Sequence, residues 1–262
     1  MAMKKRTKGN ITAPSLPGKD MLAEVNNNEA GNIYNSLFAK NRKVEYDNKD
    51  IALVNIRTNP DNQIFRAMDD DEDIRILAED IKRNGLMHNL VVFPEQEEGS
   101  TVYVLLSGER RFRALNYLQE KGDATWNIVN CNVVTTPLTE NEKKVLLYSA
   151  NLQVRGGFSD EAIRRQAIAE FITCLQREPY NMSREEALNA TKSVSTVNPR
   201  TIERDARIEE KLKGKLKTLL NDKFLTRSEC ETYLRFEADK QDEIANRFEK
   251  LQAVDCRSEE HT

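Results

Sequence analysis

The sequence predicts an α+β protein: a small mixed-sheet domain followed by an all-α domain of helix-turn-helix layout. Three observations predict it. From Asp50 to Val134, short apolar runs with strand character alternate with amphipathic helical segments. Past Gly156-Gly157 the strand-like runs cease and apolar residues keep helical spacing to the end. The composition, 39% hydrophobic and 32% charged over 262 residues, suits modest cores better than one large globule. The expected division is a flexible tail at 1–48, a mixed-sheet domain at 49–157, a helical domain at 158–225 and C-terminal helices at 226–262.

Residues 1–48 are polar and rich in Asn, Lys and Glu. Ile33, Tyr34, Leu37 and Phe38 are spaced for at most a turn or two of amphipathic helix. Ile51–Ile56 reads as a strand, and Asn59-Pro60-Asp61-Asn62 as turn chemistry. The acidic run Asp69–Asp73 favours a helix start, Ile74, Leu77, Ala78 and Ile81 supply its inner face, and Gly85 is placed for a left-handed cap. Leu90–Phe93 is a strand, Pro94–Ser100 a loop, and Val102–Leu106 a second strand that runs into a helix at Ser107-Gly108. Phe112, Leu115 and Leu118 face inward on that helix, and Ile128–Val134 closes the sheet. Thr139 and Glu142 form a capping box for a helix with Val145, Leu146, Ser149 and Leu152 inside.

Beyond the double glycine, Ser159 is placed to cap a long helix carrying Ile163, Ala167, Ile168, Phe171, Ile172 and Leu175. Ser183 and Glu186 box a short helix, a loop covers Thr191–Asn198, and Asn198-Pro199 starts a helix with Ile202, Ala206, Ile208, Leu212 and Leu216 inward. Short helix, turn and longer helix is the layout of a helix-turn-helix, with a turn longer than usual. Thr226 and Glu229 box another helix, with Cys230, Tyr233 and Leu234 inward. The last helix has Ile244, Phe248 and Leu251.

Several function classes recede on composition. No apolar run reaches the ~18 residues of a membrane span, and the basic start at Lys4, Lys5, Arg6 and Lys8 has no apolar stretch behind it. Four scattered cysteines and two histidines form no zinc or disulfide pattern, which points to a reducing cytosol. A net charge of −3 argues against general nucleic-acid coating, though not against a locally basic reading surface.

Two stretches stand out. The helix after Gly108 opens with Arg110, Arg111 and Arg113, where a helix N-terminus already carries about +0.5 charge. Either this is a solvated basic helix start or an anion sits on the turn, held by backbone N–H groups and guanidinium forks. The helix from Pro199 presents Arg200, Thr201, Arg204 and Arg207 outward, with Lys211, Lys213, Lys215 and Lys217 continuing a basic stripe. Arginine forks in the first turns of a helix suit guanine edges in a DNA major groove, and the lysines suit phosphates. Glu203, Asp205, Glu209 and Glu210 interleave, as on an ordinary solvated face.

Gly108-Glu109-Arg110-Arg111-Phe112-Arg113-Ala114 resembles the G-E-R-R-x-R-A box of the ParB family of partition proteins. The resemblance implies a ParB/sulfiredoxin-type domain whose box binds the triphosphate of CTP, the nucleotide controlling a clamp on centromere-like double-stranded DNA. Carried over, Ser107, Gly108 and Glu109 shape the loop while Arg110 and Arg111 grip phosphates. Asn59-Pro60 and Arg66 answer the family's N-P-x-Q-P-R element, with extra residues between and no second proline. Gly85-Leu86-Met87-His88-Asn89 answers G-x-x-Q-P, with His88-Asn89 for Gln-Pro, and His88 is either a nucleotide contact or a surface residue. Asn151-Leu152-Gln153-Val154-Arg155 resembles the E-N-x-x-R box, which implies that Asn151 helps hold Mg²⁺ and Arg155 closes the far side. Ala150 replaces the family glutamate, so at most weak CTP hydrolysis is implied. The family's habits also imply a ParA-type ATPase partner for the tail, a homodimer, and a cytoplasmic protein associated with nucleoid or plasmid. Two rivals remain: a sequence-specific transcriptional or copy-number regulator without nucleotide gating, and an ATP-dependent enzyme on the same fold.

Overall fold

The computed structural model describes residues 44–66, 70–154, 158 and 160–259. The tail up to residue 43, the expected stop at Gly156-Gly157, and the expected cap Ser159 lie outside them.

The sheet starts before the apolar pattern does. Val44 is buried, and strand β1 runs Tyr46–Ala52, antiparallel to β5 (Ile128–Val134) along its whole length. A 3-10 turn at Leu53–Asn55 then carries the chain to β2 (Ile56–Arg57), parallel to β4 (Ser100–Ser107) at the opposite side of the sheet. The single strand expected at Ile51–Ile56 is therefore two, and the boundary expected at residue 48 falls inside β1. Asp47, Asn48, Lys49 and Asp50 hid β1 because an edge strand tolerates charge on its exposed residues.

Among the described residues the sheet order is β1-β5-β3-β4-β2, with both parallel and antiparallel pairs, the mixed sheet the sequence predicts. Strand β3 extends over Leu90–Glu97, so most of the loop expected at Pro94–Ser100 is strand, with Pro94 opposite Tyr103. Glu98 and Gly99 make the hairpin turn, both at positive φ, which matches the twist of the flanking strands.

Helices cover both faces. On one, α2 (Asp71–Asn84, after the short α1 at Gln63–Arg66) and α3 (Glu109–Glu120) enclose a core of Ile74, Ala78, Leu90, Val92, Leu105, Leu115, Cys131 and Val133. Asp70 caps α2, accepting from the Glu72 N–H, and Gly85 ends it at φ 81° and ψ 174°. The chain thus leaves in an extended positive-φ conformation and not in the left-handed one expected. On the other face lies α4 (Glu140–Val154), opened by the reciprocal Thr139–Glu142 box.

The helical part follows the predicted order with three shifts. Asp160, not Ser159, caps α5 (Glu161–Gln176), its carboxylate accepting from Ala162 and Ile163 N–H groups. Helix α6 runs Arg184–Val194, one turn further than expected, so the loop before α7 (Pro199–Lys211) shrinks to residues 195–198, the usual length for a helix-turn-helix. Helix α7 stops at Lys211, whereas the apolar spacing predicted one helix through Leu216; α8 is separate, at Gly214–Asn221. The buried Gln241 of α10 (Ala238–Glu259) fills this break, accepting from Lys213 N–H and donating to the Lys211 carbonyl. The lysine stripe from Lys211 to Lys217 is broken with it: Lys217 pairs with Glu209 and Lys215 donates to Asn246. Helix α9 (Arg227–Tyr233) begins on the Thr226–Glu229 box and buries Cys230, as predicted.

One core joins the sheet to the helical part. Val91, Phe93, Val104 and Leu106 pack with Phe65, Tyr148 and Leu152, and the cluster continues through Phe171 to Ala187, Ile202 and Ala206. At about 25 cal/mol per Å² of apolar surface buried, a shared core opposes free swinging of the two parts.

Candidate functional site

Strand β4 ends at Ser107 and the chain turns into α3 at Gly108, whose φ of 103° and ψ of 23° lie in the left-handed region that favours glycine. A Cβ here would come within 2.8 Å of Leu90 Cδ2 and 3.3 Å of Arg111 Nη2. The first helical bond runs from Phe112 N–H to the Gly108 carbonyl, so the amides of the first turn point out of the helix end. Glu109 is buried there, an acid where the helix dipole favours one.

The three guanidiniums of this turn go separate ways. Arg111 bends back and donates through Nη1 to the carbonyls of His88 (2.5 Å) and Asn89 (2.9 Å), fastening the α2–β3 loop to the box. Arg113 reaches sideways to Asp71 Oδ1 on α2 at 2.9 Å. Arg110 is exposed. His88 enters the site through its backbone carbonyl, and Asn89 donates from its side chain to Asn130 and Asn132 on β5.

Two other predicted elements meet each other on α4. Asn59 caps the turn that begins at Pro60, and the turn is held to α4 by Lys144–Asp61 at 3.0 Å and by Asn151 Nδ2 on Asn62 Oδ1 at 3.4 Å. Phe65 packs edge-on against Tyr148, and Leu106, two residues before Gly108, lies in the same core. Asn151 also donates to the Leu147 carbonyl. Arg66 ends α1; its side chain and all of Arg155 lie outside the described residues.

For Mg²⁺ the residues fit poorly. Ala150 supplies no carboxylate, and no cluster of three His, Cys, Asp or Glu side chains occurs among the described residues. Burial pushes the Cys131 thiol up to about 12 and those of Cys174 and Cys230 to about 11, so none is a thiolate nucleophile at neutral pH.

The second site is a groove of about 570 Å³ on the helical part, lined by Arg184, Leu188, Arg200, Thr201, Arg204 and Arg207, with Glu203 and Glu231 at its walls. Asn198 caps α7 by accepting from Arg200 N–H, and Pro199 takes the first helical position. This start aims all four predicted DNA-contact residues into one groove.

Residues 37–142 match the family model of the ParB N-terminal domain. The chain thus carries a ParB N-terminal domain. Among solved ParB structures it is similar to the C-terminally truncated chromosome-partitioning protein ParB from Caulobacter crescentus, complexed with CTP-gamma-S (18% identity, 77% of this chain and 98% of that one, TM-score 0.33). The same protein complexed to the centromeric parS site matches at 16% identity over 72% of this chain and 85% of that one, with a TM-score of 0.28. A Pnob8-like ParB-N domain matches at 12% identity over 79% and 98%, with a TM-score of 0.45. No curated protein matches the chain.

The sequence reading missed what lies beneath the second site. Asp205 is fully buried under α7 and accepts from Arg164 Nε at 2.7 Å and Arg227 Nη1 at 3.4 Å. Glu209 is nearly as buried, between Arg165 and Lys217. The signal was present: Ile202, Asp205, Ala206 and Glu209 share one helical stripe at i, i+3, i+4 and i+7. Among the described residues, no helix is long and apolar enough to cross a membrane.

Proposed function

We propose that this protein is a ParB-family partition protein that binds double-stranded DNA through the α6–α7 helix pair and is regulated by a nucleotide, CTP, at the Gly108 box. The observation that carries the DNA reading is the four-residue turn into an Asn198-Pro199 start, which lines Arg200, Thr201, Arg204 and Arg207 along one groove. The box reading rests on the left-handed Gly108 at a helix N-terminus, an anion-binding geometry in a seven-residue ParB box. In it Ser107, Gly108 and the amides from Glu109 onward cradle phosphates and Arg110 supplies charge. Arg111 chiefly shapes the wall by holding the His88-Asn89 loop. The ParB resemblance adds Arg66, Asn151 and Arg155 to the nucleotide contacts, and any magnesium arrives on the nucleotide's own oxygens. Binding energy would favour one conformation by differential affinity, with slow turnover at most. Partition of a plasmid, chromosome or mobile element, with homodimerisation and a ParA-type ATPase as partner, is the biological setting we propose.

Calorimetry with CTP, ATP and GTP tests the box: heat with CTP is the expected outcome, and silence with all three removes the switch. A second reading, a DNA-binding regulator without gating, is favoured by one observation: Arg111 and Arg113 already hold acceptors of the protein itself. A footprint that is identical with and without CTP supports that reading; one that changes supports gating.

A further inference from the structure

Helix α9 stands beside the α7 groove. Its capping box and the buried Cys230 fix its rotation, so the next residue, Glu231, emerges at the groove wall with its side chain 24% exposed. There one carboxylate bridges two guanidiniums a turn apart: Oε2 accepts from Arg204 Nη2 at 2.5 Å and Oε1 from Arg207 Nη2 at 2.7 Å. Arg227, at the start of the same helix, joins Asp205 beneath α7 and Glu161 on α5, so α9 is fastened to α7 on both its exposed and buried sides. The other acids on the exposed side of α7, Glu203 and Glu210, pair with Lys192 and Arg184 of α6. They leave Arg204 and Arg207 to Glu231. Arg200 makes no ion pair among the described residues.

A carboxylate offers two oxygens to a pair of forks much as a DNA phosphate does. While it holds them, the two arginines cannot neutralise backbone phosphates at full strength, and their counter-ion release is lost. A carboxylate at the groove wall also repels any phosphate that approaches. Both effects weaken sequence-independent binding. A correct base pair changes the balance, because guanine O6 and N7 offer each fork acceptors without a negative charge beside Glu231. The arrangement penalises the wrong partner more than it helps the right one, a recognised route to specificity.

We propose that Glu231 is a specificity-determining residue of the α7 groove, an internal carboxylate that withholds Arg204 and Arg207 from phosphates and yields them to a matching base edge. This rests on the DNA-binding reading of α6–α7. The Glu231 carboxyl lies well below its usual range, at about 2, so it stays ionised at any physiological pH.

The test uses the full chain and two duplexes: one of random sequence, and one selected from a random-sequence library by the unmodified protein. Affinity for each is measured across a salt series for the unmodified protein, Glu231→Gln and Glu231→Asp. Glu231→Gln keeps the size and removes the charge; it is expected to bind random duplex about tenfold more tightly, with a log K against log salt slope steeper by about 1 to 2. Binding to the selected duplex is expected to change less, so the specificity ratio falls; Glu231→Asp, with a shorter arm, is expected to lie between. Unchanged or weaker random-duplex binding with an unchanged slope in both variants overturns the proposal and leaves Glu231 a residue that merely positions two arginines. If the unmodified protein binds no duplex at all, and Arg200→Ala changes nothing, the DNA reading itself has failed and this inference falls with it.

Discussion

Two helices of this protein begin in arginine-rich turns, and the structure treats them differently. At the start of α3, Arg111 turns onto backbone carbonyls and Arg113 onto an exposed carboxylate, while a left-handed glycine opens the helix end. Along α7, Arg200, Arg204 and Arg207 stay in one groove, and the carboxylate that meets two of them comes from a helix more than twenty residues later. The first cluster shapes a backbone site, and the second is a side-chain surface. Their sequences alone do not separate them, because what decides is where the acceptors come from.

The largest test of this contrast lies under α7. If the groove depends on a buried charge lattice, Asp205→Ala removes the nearest carboxylate of the buried Arg164, leaves it and Arg227 to share Glu161, and destabilises the protein by about 3 kcal/mol. Urea unfolding of the variant reads this. A loss below about 1 kcal/mol makes the lattice incidental and leaves α7 held by its apolar stripe alone.

For the α3 start the corresponding variant is Gly108→Ala. The new Cβ meets Leu90 and the backbone sits at positive φ, together costing about 1–3 kcal/mol. CTP binding by calorimetry is expected to fall further than stability does, since the turn itself is the proposed cradle. Intact nucleotide binding in a folded Gly108→Ala protein sinks the backbone-site half of the comparison.

Acid titration separates the clusters at smaller scale. The Arg204 hydrogen bond, then that of Arg207, holds the Glu231 carboxyl at about 2 against an ordinary 4.5. A depressed carboxyl stabilises the fold above 4.5, and that contribution is lost as pH falls through about 2. The stability difference between the unmodified protein and Glu231→Gln is therefore expected to shrink from about pH 4.5 downward and to vanish near pH 2. Because the pair is part-exposed, the whole difference is expected to stay near or below about 1 kcal/mol.

How much was legible follows the same division. The strand-to-helix joint at Ser107-Gly108 could be read because glycine, apolar run and amphipathic helix agree locally. The capping boxes at Thr139, Ser183 and Thr226 could be read because both partners sit three residues apart. Strand β1 could not, since its polar residues carry the pattern of a tail and only pairing with β5 makes them a strand. The break after Lys211 was hidden because Leu212 and Leu216 keep helical spacing across it, and the side chain that fills it is Gln241, some thirty residues on. Glu231 was invisible for the same reason, as its partners lie 24 and 27 residues away.

The smallest effect sharpens the comparison most. Asp71 is 82% exposed while its partner Arg113 is 17% exposed, so the pair stands in water on one side and against the domain on the other. An ion pair of this kind contributes about 0.5 kcal/mol or less, and Asp71→Ala is expected to leave urea unfolding nearly unchanged. Its electrostatic effect is different in kind: one negative charge leaves the neighbourhood of the α3 start, whatever else Arg113 touches. Screened attraction for a polyphosphate should then rise, and CTP affinity with it, by about twofold to threefold at low salt and less at high salt. If Asp71→Ala instead costs more than about 1 kcal/mol and leaves CTP binding alone, Arg113 is a structural strut between α2 and α3, and the box has one phosphate-facing cation fewer than its sequence advertises.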